Sequence, residues 1–165
     1  MKYIIKKGKH RARPLSLGIF YNKKVMERDV VFDLSCKYEL HGKDNEDVNK
    51  LFGIGYFPGH HIDSARFGWN YHSGKIRIYA YAYVNGERVI TYLADVILHR
   101  RIRLILNVIG DVYSFTVRDA ANSWHEYGGA DIKFTHNKKL SYKLGCYFGG
   151  NNTAPHKIKI QMLKK

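Results

Sequence analysis

Hydrophobic residues recur at every second position through much of this chain. Ile102, Leu104, Leu106 and Val108 form one such row, followed beyond Gly110-Asp111 by Tyr113, Phe115 and Val117. Val30, Phe32, Leu34, Cys36, Tyr38 and Leu40 form another, and Ile158, Ile160 and Met162 a third. A period of two marks half-buried antiparallel strands. The one stretch that tolerates a helix is residues 44 to 52, DNEDVNKLF, with room for one or two turns. About ten short strands with turn signals between them predict an all-β fold, a two-sheet antiparallel β-sandwich.

The register of the central meander follows from two turns. Asn85-Gly86 is a two-residue hairpin turn, because both central positions of that turn take positive φ. It sets Tyr83 opposite Arg88, Tyr81 opposite Ile90 and Tyr79 opposite Tyr92, with Ala82–Val89, Ala80–Thr91 and Ile78–Leu93 on the other side. Ser73-Gly74 sets His72 opposite Lys75, Asn70 opposite Arg77, Gly68 opposite Tyr79, Arg66 opposite Tyr81 and Ser64 opposite Tyr83. The reverse side of that pair is apolar: Trp69–Ile78, Phe67–Ala80 and Ala65–Ala82. A slip of one residue would invert a face, so the agreement of two independent turns fixes the register. Three strands therefore share a polar and aromatic face made of Ser64, Arg66, Asn70, Arg77, Tyr79, Tyr81, Tyr83, Arg88 and Tyr92. Rings and guanidinium groups offer a ligand flat, rigid contacts. The same rings also serve a purely structural end, cross-strand pairing worth ~0.2–1 kcal/mol per pair, or a surface covered by a loop or another subunit.

Composition adds charge to this picture. The 165 residues suit a single domain, 1–165, with residues 1–14 a basic N-terminal arm or edge strand. With 28 Lys and Arg against 14 Asp and Glu the net charge is +14, which draws phosphate, anionic polysaccharide, an acidic membrane surface or an acidic protein. The segment Lys6 to Arg13 reads as a solvated arm or as one that grips an anion. Cys36 and Cys146 match no metal or redox spacing and read as buried free thiols. No run reaches transmembrane length, and Tyr3-Ile4-Ile5 is too short for an export signal, which predicts a cytoplasmic or virion-associated protein.

The order of segments resembles the concanavalin A-like jelly rolls: laminin-G-like modules, legume-type lectins, and small polysaccharide lyases and glucanases. RFGWNYHSGKIRIYAYAYVNGERVI looks like the central meander of such a sandwich. HRRIRLILNVIGDVYSFTVRD looks like the adjacent pair, and LSYKLGCYFGGNNTAPHKIKIQMLKK like the closing pair, a strand across the concave face followed by a final edge strand. The resemblance implies a sugar-binding concave sheet carrying Arg66, Tyr79, Tyr81 and Tyr147. Lyases of the alginate type carry Tyr-Phe-Lys-x-Gly, and Tyr147-Phe148-Gly149-Gly150 keeps the aromatic pair without the lysine; the Gln-x-His and Arg-x-Glu-x-Arg segments are missing. Glucanases of this fold need Glu-x-Asp-x-x-Glu on one strand, and the acidic cluster Asp44, Glu46 and Asp47 sits in a loop instead.

The candidate ligand-binding set is thus Arg66, Asn70, Arg77, Tyr79, Tyr81, Tyr83, Arg88 and Tyr92, with Tyr147 across the face and His60 and His61 flanking the groove. His60, His61 and Asp63 resemble a partial metal set, but a polar strand-entry loop accounts for them, and no metal or other cofactor is expected. GGNNTAPH, residues 149–156, is a tight corner or a source of backbone N–H groups for a ligand. Asn151-Asn152-Thr153 has the spacing of a glycosylation acceptor, which matters only in an exported chain. His99-Arg100-Arg101-Ile102-Arg103 is the sharpest basic cluster, though no nucleic-acid module accompanies it, so nucleic acid is the weaker partner. The expected function is a non-catalytic binding module for an anionic glycan or an acidic protein surface. The alternatives are a virion or assembly protein, oligomeric or not, and a small polysaccharide lyase using Tyr147, Arg66 and a histidine such as His61.

Overall fold

The computed structural model describes every residue except 16, 41, 43–45 and 165. Thirteen strands are found among the described residues: β1 (Lys2–Ile5), β2 (Ala12–Arg13), β3 (Ile19–Tyr21), β4 (Val25–Phe32), β5 (Asn49–Tyr56), β6 (Ser64–His72), β7 (Lys75–Val84), β8 (Glu87–Val96), β9 (Arg101–Ile109), β10 (Val112–Asp119), β11 (Glu126–Lys133), β12 (Leu140–Leu144) and β13 (Ile158–Lys164). They form two antiparallel sheets. One has the order β11-β10-β9-β4-β13-β1-β2, the other β3-β12-β5-β6-β7-β8.

The sheets face each other across an aromatic core. Phe32 of β4 meets Trp69 of β6 with ring centres 5.3 Å apart, and Phe115 of β10 meets Phe67 of β6 at 5.2 Å. Trp69, Tyr113, Phe67, Phe115, Ile76 and Ile78 are all buried, each drawn from the apolar row of its strand. Burial of one such side chain stabilises by roughly 1.5–3 kcal/mol. Both cysteines are free and buried. No helix among the described residues is long and apolar enough to cross a membrane.

The meander holds the register set by its turns. Arg66 faces Tyr81, Phe67 faces Ala80 and Trp69 faces Ile78, while Tyr79 faces Tyr92 and Tyr83 faces Arg88. Ser73 and Gly74 have φ of 48° and 84°, Asn85 and Gly86 of 52° and 84°, the left-handed values these turns require. One pair differs from expectation. A bulge puts Ala94, not Leu93, opposite Ile78, and Leu93 is the extra, buried residue.

Three further expectations are corrected. The row Val30–Leu40 is not one strand: β4 ends at Phe32, and Asp33 caps a single 3-10 turn, Leu34–Cys36, by accepting the Ser35 N–H at 2.8 Å. Leu34 is consequently exposed. The helix expected over 44–52 fails at 49–52, which begin the buried strand β5; residues 44 and 45 lie outside the described set. The last strand is not an edge, since β13 lies between β4 and β1, with Lys2–Ile5 pairing Ile158–Gln161.

Candidate binding face

The outer side of the six-stranded sheet is built around Arg66. On β6 it stands between Gly53 of β5 and Tyr81 of β7. Its guanidinium carbon lies 5.3 Å from the centre of the Tyr81 ring, and the Lys50 ammonium lies 4.9 Å from the same ring. Tyr81 was expected to present an open ring. Instead it is only 4% exposed, because the two cations and its neighbours lie against it. Arg66 and Lys50 are themselves 6% and 9% exposed. Stacking on a ring accounts for part of their comfort in this position.

Neither cation has a carboxylate within ion-pair distance among the described residues, and Asp47 acts on Lys50 only at longer range. Lys50 donates to the Gly149 carbonyl at 3.1 Å, and Arg66 Nε is buried with no hydrogen-bond partner. Burial, reinforced by nearby Arg66, lowers the Lys50 ammonium to about 8, and burial also lowers Arg66. Buried charge without a counter-charge is costly unless a ligand supplies one.

Aromatic and imidazole rings wall this centre. His60, in the turn between β5 and β6, hydrogen-bonds through Nδ1 to the Tyr142 hydroxyl at 3.2 Å. The two meet over Gly55, where a Cβ would come within 2.9 Å of the Tyr142 ring and 3.0 Å of His60 Cβ. Burial first, then Arg66, lowers His60 to about 4, so it is neutral near pH 7. His61 stacks on Tyr83 at 5.2 Å, and His10 stacks on Tyr147 at 4.9 Å. A cavity of about 250 Å³ brings together Arg66, His60, Tyr147, Arg11, Lys143 and Leu144, with no Asp or Glu among the described residues of its lining.

The remaining predicted residues lie on the same face but further from this cavity. Asn70 is fully buried. Its Oδ1 accepts from the Tyr79 hydroxyl at 3.3 Å, while its Nδ2 has no partner. Tyr79 packs edge-on against Tyr92, which is half exposed. Arg77 pairs with Asp95 at 3.8 Å and so offers a ligand little free charge. Arg88 is exposed, opposite Tyr83.

Two residues of the site, Lys50 and Tyr142, are absent from the set the sequence suggests, whereas His10 and Arg11 belong to the segment Lys6 to Arg13, which reads as a solvated arm or one that grips an anion. Lys50 was hidden in the supposed helix. Tyr142 alternates with Leu144, Cys146 and Phe148, a row that reads as apolar, yet it pairs with Gly55 on the outer side. The Gly-x-Gly at 53–55, which lets neighbouring side chains meet over β5, was the available signal.

Other constellations are spoken for. Asp63 turns from the histidines to Lys138 Nζ at 2.6 Å and the Asn85 N–H at 3.1 Å. No group of three or more potential metal ligands gathers among the described residues. Arg101 and Arg103 both bind the buried Asp29, at 2.7 and 2.8 Å, and Arg100 binds Asp119. This cluster is thereby an ion-pair network bracing β4, β9 and β10. In the loop after β12 the N–H groups of Gly149 and Gly150 go to Asn49 and Asp47 side chains.

No protein-family model matches the sequence, and no curated protein does. Among solved structures the chain is similar to an alginate lyase from Klebsiella pneumoniae, with 9% identity, TM-score 0.55, and coverage of 88% of this chain and 57% of the enzyme. It is also similar to an alginate lyase from a Chlorella virus, with 14% identity, TM-score 0.53, and coverage of 99% and 84%. A functionally unknown protein from Saccharomyces cerevisiae gives 11% identity, TM-score 0.57, and coverage of 99% and 88%. The chain thus spans little more than half the length of the Klebsiella enzyme. At these identities the likeness establishes the fold alone, a two-sheet antiparallel jelly roll.

Proposed function

We propose that this jelly-roll chain is a non-catalytic module that binds an anionic glycan on the outer face of its six-stranded sheet. The observation that carries the reading is the pair Lys50 and Arg66, both buried against Tyr81 and neither ion-paired to a carboxylate among the described residues. A uronate supplies what the pair lacks: a planar carboxylate that Arg binds bidentately, on a pyranose whose apolar face can pack on Tyr147, which lines the cavity beside Arg66. The absence of acidic side chains from the cavity lining fits an anion better than a cation or a neutral sugar. Alginate, named in two of the structural relatives, is itself a polyuronate, though this chain's own residues carry the argument.

The test is a glycan array with uronate, sulfated and neutral chains, repeated with Arg66→Gln. The expected result is binding to the acidic chains alone and its loss in the variant. Equal signal from variant and parent would end the proposal.

One observation favours a second reading, a polysaccharide lyase. The His60–Tyr142 pair stands beside Arg66, where the sequence had suggested His61. In such a reaction a base removes the C5 proton of a uronate whose carboxylate Arg66 neutralises. The C4–O4 bond then breaks, O4 leaves with a proton, and a C4=C5 double bond remains. A rise in ultraviolet absorbance with polyuronate, abolished by Tyr142→Phe, would replace the binding reading with this one.

A further inference from the structure

A second cavity, of about 510 Å³, lies beside the His10–Tyr147 stack, lined by Lys6, Lys9, Arg11 and Arg13 together with those two rings and Ile4. Arg11 and Tyr147 line this cavity and the one at Arg66 alike, so the two adjoin. Among the described residues no Asp or Glu lines either.

The segment that carries these cations is held in place. Gly8 turns the chain with φ of 71°, and β2 returns along β1 with Ala12 opposite Ile5 and Arg13 opposite Ile4. Four backbone bonds pin the turn to the loop after β12. The Gly8 N–H donates to Ala154 O at 2.9 Å and the Ala154 N–H to Lys9 O at 3.1 Å; the Ala12 N–H donates to Cys146 O at 3.3 Å and the Phe148 N–H to His10 O at 2.7 Å. His10 Nδ1 also hydrogen-bonds to the Phe148 carbonyl, which fixes the ring stacked on Tyr147. The basic residues therefore occupy set positions at the end of the groove.

We infer that the N-terminal basic hairpin is a second anion subsite, and that the ligand is a linear polyuronate whose chain passes from Arg66 over Tyr147 to Lys6, Lys9 and Arg13. This rests on the anionic-glycan reading and extends it by direction and length. A single charged sugar fills only the first cavity. A longer chain adds its further carboxylates to the hairpin, and these added contacts join the same binding event at high effective concentration.

The experiment is calorimetric titration with oligogalacturonates, a trimer and a nonamer, into the parent protein and into the Lys6→Ala/Lys9→Ala/Arg13→Ala variant. All three residues are exposed, so the variant folds. The trimer binds both proteins equally. The nonamer binds the parent about tenfold tighter than it binds the variant. The salt dependence of nonamer binding falls in the variant by about two, near 0.7 for each neutralised charge of a single-stranded polyanion. If the trimer fails to bind the parent, the glycan reading falls and this inference with it. If the trimer binds both but the nonamer shows no difference between them, the hairpin is no subsite and the glycan reading stands. If a single-stranded oligonucleotide of matched charge loses as much affinity in the variant as the nonamer does, the hairpin grips polyanions indiscriminately and the inference is overturned.

Discussion

Lys50 and Tyr147 are joined twice through their backbones, at 2.8 and 3.0 Å, and the Lys50 ammonium lies 6.0 Å from the centre of the Tyr147 ring. Main-chain pairing thus holds the cation in place whatever its side chain costs. Replacing Lys50 by Met keeps that pairing and removes the buried charge. The expected outcome is a protein more stable by about 1–2 kcal/mol in urea unfolding at pH 7, discounted for partial solvation, that binds oligouronate at least tenfold more weakly. A less stable Lys50→Met protein would show that the charge is not strained in the unliganded fold.

The same residue sets a pH dependence. Its ammonium is lowered to about 8 from the usual 10.5, chiefly by burial. Affinity for an anion then declines as pH rises through about 8, two units before an ordinary lysine would release its proton. Stability moves the other way. Between about 8 and 10.5 the unfolded chain binds more protons than the folded one, so stability climbs with pH across that window. Titrations at pH 7 and 9, with Lys50→Met as the flat control, check both signs.

Acid acts on different groups. Burial alone would raise Asp29 and Asp63, but Arg103 and Arg101 hold the first below the usual carboxylate range, and Lys138 with the Asn85 N–H holds the second there. Depressed carboxylates stabilise above the unfolded value of 3.8, and that contribution is lost as pH falls through the lower folded values. Urea midpoints measured downward from pH 5 should drop most steeply below about 4. Asp29→Asn should flatten that drop while lowering stability at pH 7.

Gly53 on β5 and Gly59 in the turn that follows it differ in kind. A Cβ at Gly53 would land on the Ala65 carbonyl oxygen and the Arg66 backbone, whereas one at Gly59 meets nothing within 4 Å. Gly53→Ala should cost about 1–3 kcal/mol by urea unfolding and weaken binding by displacing Arg66; Gly59→Ala should be near neutral. Equal effects would mean that β5 and β6 can part without penalty.

The meander was readable because three constraints agree there: strict alternation and two turns whose φ values admit few residues. Arg66, Tyr81 and Trp69 stand where that reading put them. What failed was long-range. Nothing local reveals that Lys50 lies beside Tyr147, because the bond that joins them spans nearly a hundred residues of sequence. Nor does alternation reveal burial on an outward face: Tyr81 of β7 is covered by Arg66 from β6 and by Lys50 from β5, one strand further away. The row from Val30 to Leu40 misled for a local reason, since Asp33 offers the backbone a cap that ends the strand.

The seat of β13 between β4 and β1 governs how this molecule comes into being. During synthesis β1 precedes its long partner, and among the described residues only the two of β2 pair with it until the segment around 158–164 follows. The strands β4, β9, β10 and β11 can pair with one another meanwhile, so the larger sheet waits in two parts for the strand that joins them, with the facing edges of β4 and β1 open to wrong partners.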